Sequence, residues 1–141
     1  MHAPTRRLFL ALPAAFAAFP VFASEAGLLT VTEAHEKVRT GEIVLIDIRR
    51  PDEWAQTGIA EGAVPIDMRA PDLGARIDAA LGGDRDRPVA LICHSGVRSR
   101  HLSAAMAGAG FTRVYDVGEG MAGSSRGPGW VARGLPVERP E

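Results

Sequence analysis

The chain has 141 residues, of which 46% are hydrophobic and 23% charged, and its formal net charge is −1. That is an ordinary globular composition for one domain, and the balanced charge with no basic stripe argues against nucleic-acid binding. Cys93 is the single cysteine, which excludes an internal disulfide framework and a cysteine zinc site; His2, His35, His94 and His101 lack HxxxH-type spacing, so neither a metal nor a cofactor is expected.

Residues 1–23 read as an export signal. Arg6-Arg7 supply a positive start, residues 8–18 are apolar, and Val21-Phe22-Ala23 offers small residues for cleavage after Ala23. The stretch Thr5-Arg6-Arg7-Leu8-Phe9-Leu10 resembles a twin-arginine export signal. An uncleaved anchor is the alternative, but the apolar run ends at residue 23, contains Pro13 and Pro20, and falls short of the roughly 20 residues that a bilayer span needs. A periplasmic location with no stable membrane span is expected.

The remaining chain alternates helix and strand signals. Thr32 precedes Glu33 and Glu36 as an N-cap with first-turn acids, Val31, Ala34 and Val38 recur at helical spacing, and Gly41 ends the pattern. Residues 43–48 form an apolar, β-branched-rich run interrupted by Asp47, as in a strand buried on both faces. Pro51-Asp52-Glu53-Trp54 starts a short helix. Residues 63–66 make a brief strand, residues 71–81 a helix stopped by Gly82-Gly83, and residues 88–92 a second buried strand. Helix is expected again over residues 99–109, with Leu102, Ala105, Met106 and Ala109 on one stripe. Residues 112–117 then form a strand, residues 118–129 a glycine-rich loop, and residues 130–133 a helical turn. This order implies one α/β domain, residues 28–140, with a mostly parallel central sheet and helices on both faces. Such sheets place ligands at the C-terminal ends of their strands, which is where Cys93 falls.

The segment Cys93-His94-Ser95-Gly96-Val97-Arg98-Ser99 joins a buried strand to a helix. Backbone N–H groups of a turn that feeds a helix converge on one point and favour negative charge there. The same field favours a thiolate, Arg98 adds positive charge, and Gly96 suits a position of positive φ or close approach. A lone cysteine at a strand end is more often simple packing, but this context marks Cys93 as a nucleophile. Arg98 either clamps an anionic donor or hydrogen-bonds the loop's carbonyls. His94 and Ser95 line the mouth, with His94 a proton donor, a substrate contact or idle. Asp47 and Arg49 are expected to brace loops by ion pairing, and Trp54 and Trp130 to anchor core edges. Glu119 and Met121 either wall the pocket or belong to a plain turn.

Together these motifs resemble the rhodanese family of sulfurtransferases over residues 28–140. The family's strand, Cys-x-x-Gly-x-Arg-Ser/Thr and helix are met by Cys93, Gly96, Arg98 and Ser99, and its Asp-x-Arg-x-x-x-Glu-Trp/Tyr stretch by Asp47, Arg49, Glu53 and Trp54. Its Gly-His-Ile-Pro-Gly-Ala run stands here as Gly58-Ile59-Ala60-Glu61-Gly62-Ala63, without the histidine and proline. Val117-Gly118-Glu119-Gly120-Met121 resembles its Gly-Gly-Trp/Met segment, and Gly129-Trp130 with residues 134–137 its closing turn. The resemblance implies a rhodanese-like fold and a Cys93 persulfide, charged by a small donor such as thiosulfate. A thiol, cyanide or possible protein acceptor would discharge it, without any cofactor. A non-enzymatic persulfide carrier is the alternative. Phosphatases and arsenate reductases of similar architecture use Cys-x5-Arg, one residue longer than the loop ending at Arg98.

Overall fold

The computed structural model describes residues 26–141, so the expected export signal lies outside the described residues. The elements are β1 (Gly27–Leu29), α1 (Val31–Arg39), β2 (Val44–Asp47), α2 (Pro51–Thr57), β3 (Ile59–Ala60), β4 (Val64–Pro65), α3 (Leu73–Ala80), β5 (Val89–Ile92), α4 (Val97–Gly108), β6 (Val114–Val117), α5 (Gly129–Ala132) and β7 (Val137–Glu138). Five strands form one sheet in the order β1-β6-β5-β2-β4, with every neighbouring pair parallel. β3 and β7 pair antiparallel as a separate two-stranded sheet. Among the described residues no helix is long and apolar enough to cross a membrane.

Strand side chains alternate between two cores, as the pleat requires. Ile46, Val89 and Leu91 meet Ile77 and Leu81 at α3 and Met106 of α4 on one face. Leu45, Ala90 and Ile92 meet Val31 and Ala34 of α1 and Trp130 of α5 on the other. Helices therefore cover both faces, and β5, central and buried at all four positions, delivers Cys93 from the middle of the sheet. Trp130 is fully buried with its indole N–H donating to the Pro136 carbonyl, an anchor as expected.

Several local readings need correction. The first helix is capped by Thr30 rather than Thr32: Thr30 Oγ1 accepts the Glu33 N–H at 3.2 Å while Glu33 Oε2 accepts the Thr30 N–H at 2.8 Å. This reciprocal box starts the helix two residues earlier and leaves Val31 free to enter the core. α3 starts at Leu73, two residues after the expected Pro71, and α4 at Val97, two before Ser99. Of its expected stripe, α4 buries Met106 and packs Leu102 half-buried on the core, but it leaves Ala105 and Ala109 exposed and buries Ser99, Ser103 and Ala107. Its first turns pack on a polar site at the sheet's end, so serine is the residue buried there.

Candidate active site

The loop after β5 wraps around one sulfur. Cys93 is 1% exposed, and its Sγ accepts the N–H of Gly96 at 3.1 Å and of Ser99 at 3.4 Å. The thiol donates to Ser99 Oγ, also at 3.4 Å. Two of these donors belong to the turn and first helical residues of α4, where N–H groups have no intrahelical partner. Anionic sulfur at that point is thus met by fixed dipoles rather than by mobile side chains.

The glycine-rich segment after β6 holds the loop from the other side. Met121 N–H donates to the Cys93 carbonyl at 2.8 Å and Ala122 N–H to the His94 carbonyl at 2.9 Å. Gly96 has φ +84°, and a β-carbon there would overlap the Gly118 carbonyl oxygen. Gly120 has φ +71° and abuts the His94 carbonyl in the same way. The two backbones approach too closely for side chains, which is why glycines face each other here.

Arg98 makes no hydrogen bond to the loop's carbonyls among the described residues. Its two terminal nitrogens donate to Glu53 of α2, at 2.9 Å to Oε2 and 2.6 Å to Oε1, a bidentate pair that fastens the start of α4 to α2. The hydrogen bond from Arg98 holds the Glu53 carboxyl well below the usual range, at about 2, against the opposing effect of burial. The tether therefore contributes stability above Glu53's ordinary value near 4.5 and loses it as pH falls through about 2. In urea titrations the gap between wild type and Glu53→Gln should stay open at neutral pH and close steadily below that ordinary value; a gap that widens in acid would contradict the assignment.

The other anticipated residues separate into mouth and scaffold. His94, Ser95 and Val97 are exposed on the loop, and His94 Nδ1 lies 3.8 Å from Glu53 Oε1. His94 and Met121 line a cavity of about 230 Å³ with Thr57, Ala122, Val131 and Ala132, in which Cys93 takes no part. Glu119 is a brace, buried and accepting the Val31 N–H at 2.9 Å, the Gly129 N–H at 3.3 Å and Arg133 Nε at 3.0 Å. Burial pushes its carboxyl up, but these bonds outweigh it and hold the value down. Asp47 and Arg49 are both fully buried. Arg49 donates to Asp47 Oδ2 at 2.8 Å, to the Gly58 carbonyl at 2.7 Å and to Thr57 Oγ1 at 2.8 Å, tying the end of β2 to the end of α2. Trp54 is half-buried, with its indole N–H unpartnered among the described residues.

Two groups escaped the sequence reading as site residues: Glu53 as the partner of Arg98, and Asp116. Asp116 is 2% exposed, and its Oδ1 accepts the Ser99 hydroxyl at 2.6 Å. An acid inside the apolar strand Val114-Tyr115-Asp116-Val117 was the available signal.

A parallel α/β sheet that presents a buried cysteine at a strand's end, with the N–H groups of Gly96 and Ser99 directed at its sulfur, defines the class of protein. The chain belongs to the family of rhodanese-like domains, whose model matches residues 30–126. It is 30% identical over 110 residues to the thiosulfate sulfurtransferase GlpE of Actinobacillus succinogenes, covering 78% of this chain and 88% of that protein. It is 27% identical over 123 residues to YibN of Escherichia coli, an uncharacterised protein, covering 86% and 78% respectively. Among solved structures, Rv0390 from M. tuberculosis superposes with a TM-score of 0.63 at 30% identity, over 83% of this chain and 100% of that one. The polysulfide-sulfur transferase of Wolinella succinogenes shares the fold, with a TM-score of 0.60 at 24% identity over 82% and 80%. The family is sulfurtransferase-like.

Proposed function

We propose that the chain is a sulfurtransferase that carries a sulfane sulfur as a persulfide on Cys93. The observation that supports this most is the placement of Sγ under the N–H groups of Gly96 and Ser99. The Cys93 thiolate attacks the outer sulfur of thiosulfate; a new S–S bond forms, the bond to the sulfonate group breaks, and sulfite leaves with its electron pair. Cyanide or a thiolate then attacks the outer sulfur, and Cys93 departs as thiolate. The cycle uses no cofactor. Because Cys93 is the chain's one cysteine, no second thiol of the same chain takes over the sulfur, and it passes to another molecule. Phosphate chemistry is disfavoured by the loop's length, since only four residues separate Cys93 from Arg98 where the Cys-x5-Arg loop has five. Thiocyanate formation from thiosulfate and cyanide by wild type, and none by Cys93→Ser, is the expected result; hydrolysis of an aryl phosphate without thiocyanate would overturn it.

The pairing of Arg98 also favours a second reading, a carrier charged and discharged by protein partners, because much of its charge is already met by Glu53. A carrier would hold a stable persulfide yet turn over slowly with every small acceptor. Export to the periplasm, with cleavage after Ala23, completes the proposal; N-terminal sequencing of periplasmic protein should start at Ser24, and an intact Met1 would refute cleavage.

A further inference from the structure

Asp116 is a buried acid that the sulfur-transfer cycle as described does not employ. Its Oδ1 accepts the Ser99 hydroxyl at 2.6 Å, and its buried Oδ2 has no partner among the described residues. Ser99 Oγ is also the group that faces Cys93 Sγ, at 3.4 Å. Thiol, hydroxyl and carboxyl therefore stand in one line from the end of β5, through the first turn of α4, to β6. Burial pushes the Asp116 carboxyl up, against the Ser99 hydrogen bond and the charges of Arg126 and Arg100. Those two arginines, from the glycine-rich loop and from α4, border a cavity of about 440 Å³ with Asp116. β1 contributes only Gly27 and Leu28 there. Cys93 is the other titratable group on the line.

A buried carboxylate with one unpartnered oxygen is the costly form of that side chain. The line offers it a proton. If the thiol proton moves to Ser99 Oγ and the Ser99 proton to Asp116 Oδ1, the S–H bond and the old O–H bond break and two new O–H bonds form. The S–H electron pair stays on sulfur, and the net charge of the three groups remains −1. Ser99 then donates to the thiolate, adding a third hydrogen bond to those from Gly96 and Ser99 N–H.

We infer that Asp116 is a positioning residue for Cys93, taking up the thiol proton through Ser99 so that the sulfur becomes nucleophilic while the site's net charge is unchanged. The inference rests on the sulfur-transfer reading for its purpose. Through both half-reactions the sulfur is anionic and Asp116 neutral, which keeps the Ser99 hydroxyl aimed at the sulfur; the proton returns only when the resting thiol forms.

The test is the rate of Cys93 alkylation by iodoacetamide across the pH range in which the fold is intact. A proton moved internally does not depend on solution pH, so wild type should show a stretch of constant rate. In Asp116→Asn the thiol loses its proton only to solvent, and over that stretch the rate should rise about tenfold per pH unit until the thiol is ionised. Two profiles of identical shape, offset by a constant factor, would overturn the inference and make Asp116 a plain brace. Should Asp116→Asn fail to fold, the Ser99 pair decides: Ser99→Thr should keep the constant stretch and Ser99→Ala lose it, and a stretch retained in Ser99→Ala would show that Asp116 does not act through Ser99. Alkylation needs only a thiol. A constant stretch without thiocyanate formation would therefore sink the transfer function and leave the relay, whereas thiocyanate formation with identical profiles would do the reverse.

Discussion

Gly96→Ala should lower sulfur transfer by about a hundredfold or more and reduce unfolding stability by about 2–4 kcal/mol. Gly96 combines φ +84° with a backbone approach that leaves no room for a β-carbon beside the Gly118 carbonyl. Alanine pays for the left-handed conformation and also pushes the loop from the segment after β6. The damage falls on the site itself, because Gly96 N–H is the shortest hydrogen bond to Cys93 Sγ. Displacing it by even a few tenths of an ångström opens the cup that holds the anionic sulfur. Activity measured on the folded fraction, alongside urea unfolding, checks both parts. An alanine variant with unchanged turnover would mean that the loop's backbone does not carry the chemistry.

Arg49→Ala should be the most damaging single change to the fold, costing about 3–5 kcal/mol. The residue is fully buried and is the charge partner of an equally buried Asp47. Removing the guanidinium leaves that carboxylate without compensation and strips the Gly58 carbonyl and Thr57 of their donor. Against a domain stability of about 5–15 kcal/mol this is a large fraction, and the melting midpoint should fall by about 10 °C or more. The double variant Asp47→Leu/Arg49→Met removes both charges and should recover more than half of the loss, because an apolar pair of similar volume needs no compensation. A double variant no better than Arg49→Ala would locate the loss in the Gly58 and Thr57 bonds instead.

What the sequence disclosed and what it hid divide along physical lines. β2 and β5 were legible because a strand buried on both faces has no polar side to write, so β5 is wholly apolar and β2 is apolar up to Asp47 at its end. The cysteine loop was legible because its glycine and serine serve one local geometry at fixed spacing. β1, β3 and β7 passed unnoticed: with two or three residues they show no period, they lack the apolar run that marked the equally short β4, and they exist through pairing with distant partners. The role of Arg98 was misjudged for the same reason. Its partner Glu53 lies 45 residues away, and no local pattern encodes that meeting. α4 misled in part: Met106 and Leu102 were read rightly, but Ser99 and Ser103 are also buried, and a rule that equates burial with apolar side chains misses them. Asp116 was hidden by its strand, where an acid between apolar neighbours reads as a surface position until the structure places it beside Ser99.

The placement of Cys93 makes its persulfide the quantity to measure. Intact-mass spectrometry of the protein after exposure to thiosulfate, under non-reducing conditions, should show a gain of one sulfur atom, about 32 Da, mapped to Cys93 and absent from Cys93→Ser. An unmodified mass for the folded wild-type protein, together with no thiocyanate formed, would contradict the account.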